Sequence, residues 1–231
     1  MAGIDRPDDK AVMGNWAANA LKEARIKFVN DAELVLAAGT PNGWGVALIC
    51  GTGSIVYGCS VEGERTRAGG WGYLLGDEGS GYSIGLAALR AILRAYDGRG
   101  ENTRLHASIL NHLSLTAPTE LVKYFYRERV PTTEIASLAS LVEAAAEEGD
   151  EVAAQVLQEA ASELALAVKS VVSRLRMSGA IPCALAGGVI VNGASFRQKF
   201  EQSSNKVGIG LNPIKVVPEP AAGAIRLARQ L

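Results

Sequence analysis

The sequence is poor in the residues that hold transition metals or form disulfides. It has three cysteines and two histidines in 231 residues, and no two cysteines have CxxC spacing. Cys50, Cys59 and Cys183 lie in apolar or strand-like surroundings, which favours buried, reduced thiols over disulfides or metal ligands. We therefore expect neither a disulfide-stabilised domain nor a metal site built from cysteine and histidine.

The sequence also has no excess of charge of one sign and no long apolar run. The 23 basic and 24 acidic residues give a formal net charge of -1. This balance offers no electrostatic footprint for nucleic acid or for an anionic membrane, so neither partner is expected. No segment approaches the roughly 18 uninterrupted apolar residues of a membrane span, and no signal-like apolar run opens the chain. These absences predict a soluble, cytoplasmic protein.

The first 42 residues predict a helix, a strand and a second helix. Residues 8–24 have apolar side chains at helical spacing, Ile26–Asn30 is a predicted strand, and residues 32–39 are a predicted short helix ending at Gly39. This order is typical of the end of an α/β unit. We assign residues 1–42 to one domain and residues 43–231 to another.

From Trp44 the pattern becomes that of β-structure and then of helices. Three strands are predicted, over residues 46–50, over residues 55–57 and after a turn at Glu62 and Gly63. A helix over residues 83–96 should bury Leu86, Leu89, Ile92, Leu93 and Tyr96.

The remainder of the chain is predicted to be mainly helical. Residues 101–178 have helix breaks at Pro118, at residues 131–133 and at residues 149–150, and Asp150 is a predicted N-cap. The predicted order after that region is a strand over 181–185, a helix over 194–202, a strand over 214–217 and a helix over 221–230.

Three short features could carry chemistry, and each has a purely structural alternative. Asp31 follows a predicted strand, where α/β sheets place ligands, or it caps the next helix. The loop GTGS, residues 51–54, offers backbone N–H groups and hydroxyls to phosphate oxygens, or it is an ordinary hairpin turn. The AGG at residues 186–188 leaves room for a flat ligand, or it allows tight packing between a strand and a helix.

The stretch AGGWGYLLGDEGSGYSIG, residues 68–85, is a fourth feature and is more distinctive. It combines spaced glycines with Trp71, Asp77 and Glu78, a set typical of a polyol pocket in which carboxylates accept hydrogen bonds from hydroxyls. In the structural alternative, Trp71 belongs to the core and the two carboxylates stabilise the N-terminus of the following helix.

Taken in order, these features resemble a known family. The succession NDA, GTGS, GGWGYLLGDEGS, LAGGV and PEPAAGAIRLA is similar to the N-acetylglucosamine kinase group of the BadF/BadG-type ATPases, in the superfamily of sugar kinases, heat-shock chaperones and actin. The resemblance covers essentially the whole chain. It implies an α/β fold of the ribonuclease H-like, actin-like ATPase type, with large helical content and a partial first domain.

The resemblance also implies a role for each matching residue. Asp31 would be the catalytic base that takes the proton of the sugar hydroxyl. The ATP-binding residues would be Gly51, Thr52, Gly53, Ser54, Gly187, Gly188 and Gly223. The sugar-binding residues would be Gly70, Trp71, Asp77 and Gly81. ATP and Mg²⁺ would be the cofactors, a small sugar the substrate, and a homodimer a possible assembly.

One family motif is not found in these 231 residues. Members normally begin with a first phosphate loop of the form DGGGTKT, and the sequence contains no such motif. The start of the chain resembles instead a middle strand of the family's first domain. We expect either that the start codon was placed at an internal methionine or that the chain is a fragment or degenerate copy. A third account is that a second polypeptide supplies the missing part. Two functions stay open: an ATP-dependent amino-sugar kinase, or a non-catalytic sugar- or nucleotide-binding module.

Overall fold

The computed structural model describes residues 7–20, 24–127 and 130–229. Five strands form one sheet: β1 (Gly45–Cys50), β2 (Ser54–Cys59), β3 (Arg65–Gly69), β4 (Ile181–Ala186) and β5 (Leu211–Val216). Eleven helices can be described: α1 (Pro7–Ala20), α2 (Asp31–Gly39), α3 (Gly81–Tyr96), α4 (Leu105–His112), α5 (Glu120–Phe125), α6 (Thr132–Ser137), α7 (Ala139–Glu147), α8 (Glu151–Arg174), α9 (Gly188–Asn192), α10 (Ala194–Lys206) and α11 (Ala222–Ala228).

The sheet is mixed, with the strand order β3-β2-β1-β4-β5. Strand β2 runs antiparallel to both of its neighbours, whereas β1, β4 and β5 run parallel to one another. Strands β1 and β4 therefore end at the same edge, with Ile49 opposite Ala186. The hairpin loop after β1 and the glycine pair after β4 consequently meet at that edge, where α/β sheets bind ligands.

Both faces of the sheet are covered. Because side chains alternate along a strand, the buried residues form two clusters, one on each face. In β1, Val46, Leu48 and Cys50 belong to the larger cluster, with α3, α7, α8 and α10. Ala47 belongs to the smaller cluster on the other face, with Ala32 and other residues of α2. Burial on both faces explains why the strand is apolar at nearly every position.

The helical region begins and ends close to the predicted breaks, and Asp150 is the N-cap of α8. Its Oδ1 accepts a hydrogen bond from the Ala153 N–H at 2.8 Å. Its Oδ2 accepts from the Arg104 N–H at 2.6 Å and from the Thr103 hydroxyl at 2.9 Å. The carboxylate thus ties the first turn of α8 to the chain that enters α4.

Asp150 also predicts a pH dependence of stability. Burial by itself raises its pKa, but hydrogen bonds from Ala153, Arg104 and Thr103 outweigh that effect and lower it below the ordinary value. Because the pKa of Asp150 is lower in the folded state than in the unfolded state, its carboxylate stabilises the fold at pH values above the unfolded pKa of about 3.9. This stabilisation is lost as the pH falls through the pKa of the folded state.

Replacing Asp150 by asparagine is expected to lower the free energy of unfolding by about 1–2 kcal/mol at pH 7, because an amide NH₂ cannot accept the hydrogen bonds that Arg104 and Thr103 donate to Oδ2. The difference from wild type should shrink below about pH 4, and urea unfolding at pH 7 and pH 3 measures both values. Asp97→Asn is the matched control, because Asp97 pairs with Arg99 on the exposed surface. A difference that stays constant with pH would contradict the cap assignment.

Two predictions of local structure are wrong. Residues 24–30 form neither a helix nor a strand, because a strand requires a hydrogen-bonded neighbour and no described strand lies beside this segment. Tyr96 is 59% exposed on the last turn of α3. The buried stripe of α3 passes through Ile84, Ala88, Leu89 and Ile92 instead, and Leu86 and Leu93 are only half-buried.

The other predicted elements are present, although β5 begins at Leu211 and not at Ile214, and α9 was not predicted. The predicted ends of the first and last helices, at residues 21–24 and 229–230, extend into residues 21–23 and 230, which lie outside the described residues. All three cysteines are free and buried, and burial raises the pKa of the Cys50 and Cys183 thiols. Among the described residues, we find no helix with the length and apolar character needed to cross a membrane.

Candidate functional site

Two motifs that are distant in sequence form one unit at the ligand edge of the sheet. The GTGS loop between β1 and β2 is tied to residues 78–82 by hydrogen bonds. They are donated by the Gly81 N–H to the Gly51 carbonyl (2.8 Å), the Tyr82 N–H to the Thr52 carbonyl (3.3 Å), the Ser54 hydroxyl to the Glu78 carbonyl (2.7 Å) and the Cys50 thiol to the Gly79 carbonyl (3.3 Å).

The glycine at the start of α3 permits this contact. A Cβ on Gly81 would lie 2.9 Å from the Gly51 carbonyl oxygen and 3.2 Å from the Ala136 carbonyl oxygen. Ser80 caps the helix by accepting a hydrogen bond from the Ser83 N–H at 3.2 Å. Gly81 therefore lets α3 begin directly against the loop, and its expected contact with a sugar stays a prediction.

Asp77 lies against the same loop. Its backbone is left-handed, with φ 58°, and a Cβ on Gly53 would lie 2.7 Å from Asp77 Oδ2. A side chain at position 53 would displace the carboxylate, so Gly53 is the residue that admits it. The loop thus combines its own backbone with a neighbouring carboxylate at one point of the edge.

Gly70 and Trp71 lie on the other side of the loop. The Gly70 N–H donates to the Ser54 carbonyl at 2.9 Å. Trp71 is 65% exposed, and the Arg67 guanidinium lies 4.4 Å from the centre of its ring. Trp71 is therefore not a core residue, which removes the structural alternative for this side chain.

Trp71 borders a small cavity of about 260 Å³. Ser54, Glu78 and Glu163 also line this cavity, whereas Asp77 does not. The structure therefore does not bring the two expected sugar-binding side chains, Trp71 and Asp77, into one cavity. No sequence signal pointed to Glu163, because nothing distinguishes it from the other exposed carboxylates of the long helix α8.

The glycine pair after β4 meets the GTGS loop directly. Gly187 has φ +95°, and a Cβ there would collide with the Cys50 carbonyl group. A Cβ on Gly51 would lie 3.9 Å from Gly187 Cα and from Gly188 N. Two of the predicted ATP-binding motifs are thus in contact with each other.

A cavity of about 600 Å³ opens beside this contact, and we call it the edge cavity. One end is formed by Gly51, Thr52 and Gly188. The remaining wall comes from α6, α7, α9 and α10, including Thr133, Ser137, Ser140, Glu143, Asn192 and Phe196. No sequence motif pointed to α6 and α7, because their contribution arises only from how the helices pack.

Asp31, in α2, and Gly223, in α11, lie on the face of the sheet that holds the smaller buried cluster, opposite the face covered by α3, α7, α8 and α10. Asn30 is the N-cap of α2, since its side chain accepts from the Glu33 N–H at 2.8 Å, so capping does not account for Asp31. Asp31 is half-buried, and its Oδ1 accepts from the Ala32 N–H at 3.1 Å. In the part of the chain that the structure describes, no hydrogen bond joins the Asp31 side chain to the GTGS loop.

The structure shows a packing role for Gly223. A Cβ at this position would collide with the Leu34 carbonyl oxygen, so the glycine allows α11 to pack against α2. Its expected position near the nucleotide stays a prediction.

Comparison with known proteins identifies the relatives of this chain. The sequence profile of the BadF/BadG/BcrA/BcrD ATPase family matches residues 1–228. The chain belongs to this family. Use of ATP follows from that membership, since it is a family of ATPases.

Two sugar kinases are among the relatives of this BadF/BadG/BcrA/BcrD ATPase. An N-acetylmuramic acid/N-acetylglucosamine kinase of Clostridium acetobutylicum is 42% identical over 229 residues, which are 99% of this chain and 75% of that protein. An N-acetyl-D-glucosamine kinase of Dictyostelium discoideum is 39% identical over 178 residues, which are 76% of this chain and 56% of that protein.

A solved structure from Chromobacterium violaceum confirms the fold of this family member. That protein, provisionally named an N-acetylglucosamine kinase, is 26% identical, with a TM-score of 0.68 over 92% of this chain and 70% of its own. The sheet with a single antiparallel strand, covered by helices, is thus the predicted actin-like ATPase fold.

Proposed function

We propose that this chain provides the nucleotide-binding and sugar-binding parts of an ATP-dependent kinase that phosphorylates N-acetylglucosamine, N-acetylmuramic acid or a related amino sugar. One observation carries the proposal: the GTGS loop, which the resemblance assigns to the phosphates, and Gly188, which it assigns to the adenosine site, adjoin at one edge of the sheet, and Gly51, Thr52 and Gly188 line the edge cavity. The names of the two kinases from Clostridium acetobutylicum and Dictyostelium discoideum support the substrate class.

The proposed reaction depends mainly on positioning. The Thr52 and Gly53 N–H groups and the Thr52 hydroxyl are suited to the ATP phosphates, while Gly188 leaves space for the nucleoside. The Ser54 hydroxyl, also expected at the phosphates, donates instead to the Glu78 carbonyl. A sugar hydroxyl placed in line with the γ-phosphate then attacks it, and negative charge spreads over the transferred group. The proposal assigns to Asp31 the role of accepting the proton of that hydroxyl.

Magnesium enters the proposal as the ion that accompanies the ATP phosphates and neutralises their charge. No group of three or more His, Cys, Asp or Glu side chains suited to a metal ion occurs within residues 7–20, 24–127 and 130–229. At phosphate-transfer sites Mg²⁺ is held by one or two carboxylates together with phosphates and waters. Asp77 adjoins Gly53 but is assigned to the sugar, so the described residues do not by themselves form a site for the ion, and Mg²⁺ would bind together with the ATP phosphates.

The sugar would lie at residues 70–81, with Trp71 offering a ring face and a carboxylate accepting hydroxyl hydrogen bonds. Replacing Asp77 by alanine is expected to raise KM for the sugar about tenfold or more, because a hydrogen bond to a charged group is lost. Glu62→Ala is the control, since Glu62 is an exposed residue of the turn between β2 and β3.

Steady-state kinetics on both variants measure the effect of Asp77. A raised KM for ATP with an unchanged KM for the sugar would move Asp77 from the sugar to the Mg²⁺–phosphate group. Unchanged values of both constants would remove Asp77 from the site.

The decisive experiment measures ADP release with ATP, Mg²⁺ and each of N-acetylglucosamine, N-acetylmuramic acid, glucosamine and glucose. It uses the 231-residue chain and, in parallel, this chain joined to any coding sequence in frame before Met1. ADP release above background with an N-acetylated sugar is expected. Sugar binding in calorimetry without ADP release from either protein would favour a non-catalytic binding module and overturn the proposal.

Three further expectations belong to this proposal. The reaction would take place in the cytoplasm, nucleic acid would not bind, and the assembly would be a homodimer. Light scattering coupled to gel filtration tests the assembly, and a mass of about twice 24.2 kDa is the expected result.

A further inference from the structure

Glu143 of α7 is a carboxylate whose two oxygens differ in their surroundings. Its Oε1 accepts hydrogen bonds from the Ser195 N–H at 2.7 Å and the Phe196 N–H at 3.2 Å. These are N–H groups of the first turn of α10, which has no capping side chain of its own. The Oε2 is buried, and no described residue provides it with a hydrogen-bond donor.

The unpartnered oxygen requires an explanation. Leaving a buried polar group without a hydrogen bond costs about 1–3 kcal/mol, and more when the group is charged. Holding α10 uses only one oxygen and does not require the second to be buried without a partner. An oxygen of this kind is suited to accept a donor from a ligand, and Glu143 lines the edge cavity.

The position of Glu143 within the edge cavity identifies which part of a ligand it would meet. A Cβ on Gly81 would meet the Gly51 carbonyl oxygen, Val189 and Ala136, so Gly81 adjoins the end of the edge cavity at the GTGS loop, which the proposal assigns to the phosphates. Helix α9 leads from Gly188 to Asn192, and a Cβ on the next residue, Gly193, would lie 3.4 Å from Glu143 Cδ.

Five residues of helix advance about 7.5 Å. Glu143 therefore lies roughly that far from Gly188, in the part of the edge cavity away from the GTGS loop, where the ribose and base would lie if the phosphates occupied that loop.

We propose that Glu143 recognises the nucleoside of ATP: its Oε2 accepts a hydrogen bond from the ribose hydroxyls or the adenine amino group, while its Oε1 holds α10 in place. The inference rests on the proposed nucleotide site. Since Oε2 is covered in this structure, a side chain of the cavity wall must shift when the donor arrives. Nucleotide binding at Glu143 would therefore affect the position of α10.

The variant Glu143→Gln isolates the free oxygen. The two N–H groups of α10 require an acceptor, so the amide oxygen should replace Oε1 and the NH₂ group should occupy the position of Oε2. The shape of the side chain is kept, but a donor then faces the nucleoside donor. Glu148→Gln is the matched control, because Glu148 is exposed and pairs only with the exposed Arg104.

Calorimetric titration with ATP and with analogues tests the proposal on the full chain. We expect Kd for ATP to rise about tenfold or more in Glu143→Gln and to stay within about twofold in Glu148→Gln. The analogues 2′-deoxyATP and 3′-deoxyATP remove the ribose donors, and purine riboside triphosphate removes the amino group. Wild type should bind one of these weakly, and Glu143→Gln should lose that discrimination, which identifies the donor.

The two proposals can fail separately. If wild type binds ATP and Glu143→Gln binds it with the same Kd and the same discrimination, the role of Glu143 is overturned and the nucleotide site stands. If wild type binds neither ATP nor ADP, the nucleotide site itself is overturned, and this inference with it. A raised Kd for ATP in Glu143→Gln, with unchanged discrimination between ATP and its analogues, would mean that Glu143 only positions α10. That result would also contradict nucleoside recognition.

Discussion

Replacing Asp31 by asparagine is expected to lower kcat for sugar phosphorylation by about 10²–10⁴-fold while KM for the sugar changes little. Asparagine has nearly the same shape and can still contact a hydroxyl, but it cannot take the proton in the transition state. The fold should tolerate the change because Asn30, and not Asp31, is the N-cap of α2. Steady-state kinetics and thermal unfolding of the same preparation give both results.

Glu33→Gln provides the control for Asp31. It removes a carboxylate from the same turn of α2, where Glu33 pairs with Arg65 at 3.0 Å. We expect kcat to stay within about twofold, as for loss of an ordinary exposed ion pair. A kcat for Asp31→Asn equal to that of wild type would remove Asp31 from the role of base.

Gly187→Ala is expected to cause the largest loss of stability, about 2–6 kcal/mol. Two costs combine in this estimate. A non-glycine residue with φ near +95° is strained by about 1–3 kcal/mol, and the new Cβ would collide with the Cys50 carbonyl group, an overpacking cost of about 1–3 kcal/mol. Urea unfolding measures the change in the free energy of unfolding.

Gly188→Ala is the matched control for Gly187→Ala. A Cβ on Gly188 would meet only Asn192 Nδ2, at 3.8 Å, so the stability should change by less than about 1 kcal/mol. Because Gly188 lines the edge cavity, this variant should weaken ATP binding without unfolding the protein. Equal stability losses at both positions would contradict the packing that the structure shows for Gly187.

The glycines that the resemblance assigns to the phosphate and adenosine motifs are neighbours in the structure, but what surrounds each of them differs. Gly187 and Gly81 are needed mainly because backbone approaches backbone, as their Cβ positions show. Gly188 borders open space and can meet a ligand. Sequence motifs identify such glycines without separating these two reasons, because both require the absence of a side chain.

Elements whose signals are local could be predicted from the amino-acid sequence alone. The apolar run of β1, the N-cap at Asp150 and the glycine pair at residues 187–188 each depend on residues that are neighbours along the chain. The strand predicted at Ile26–Asn30 failed because a strand depends on a partner and not only on its own residues.

The surroundings of the GTGS loop and the edge cavity, in contrast, follow from how distant parts of the chain pack together. The wall of the edge cavity formed by α6 and α7, the separation of Trp71 from Asp77 and the free oxygen of Glu143 arise from contacts between residues far apart in sequence. Glu143 meets Ser195 across 52 positions, and this contact depends on how α7 and α10 pack. Helix packing is set by the shapes of whole buried faces, so no local pattern around either residue could have predicted it.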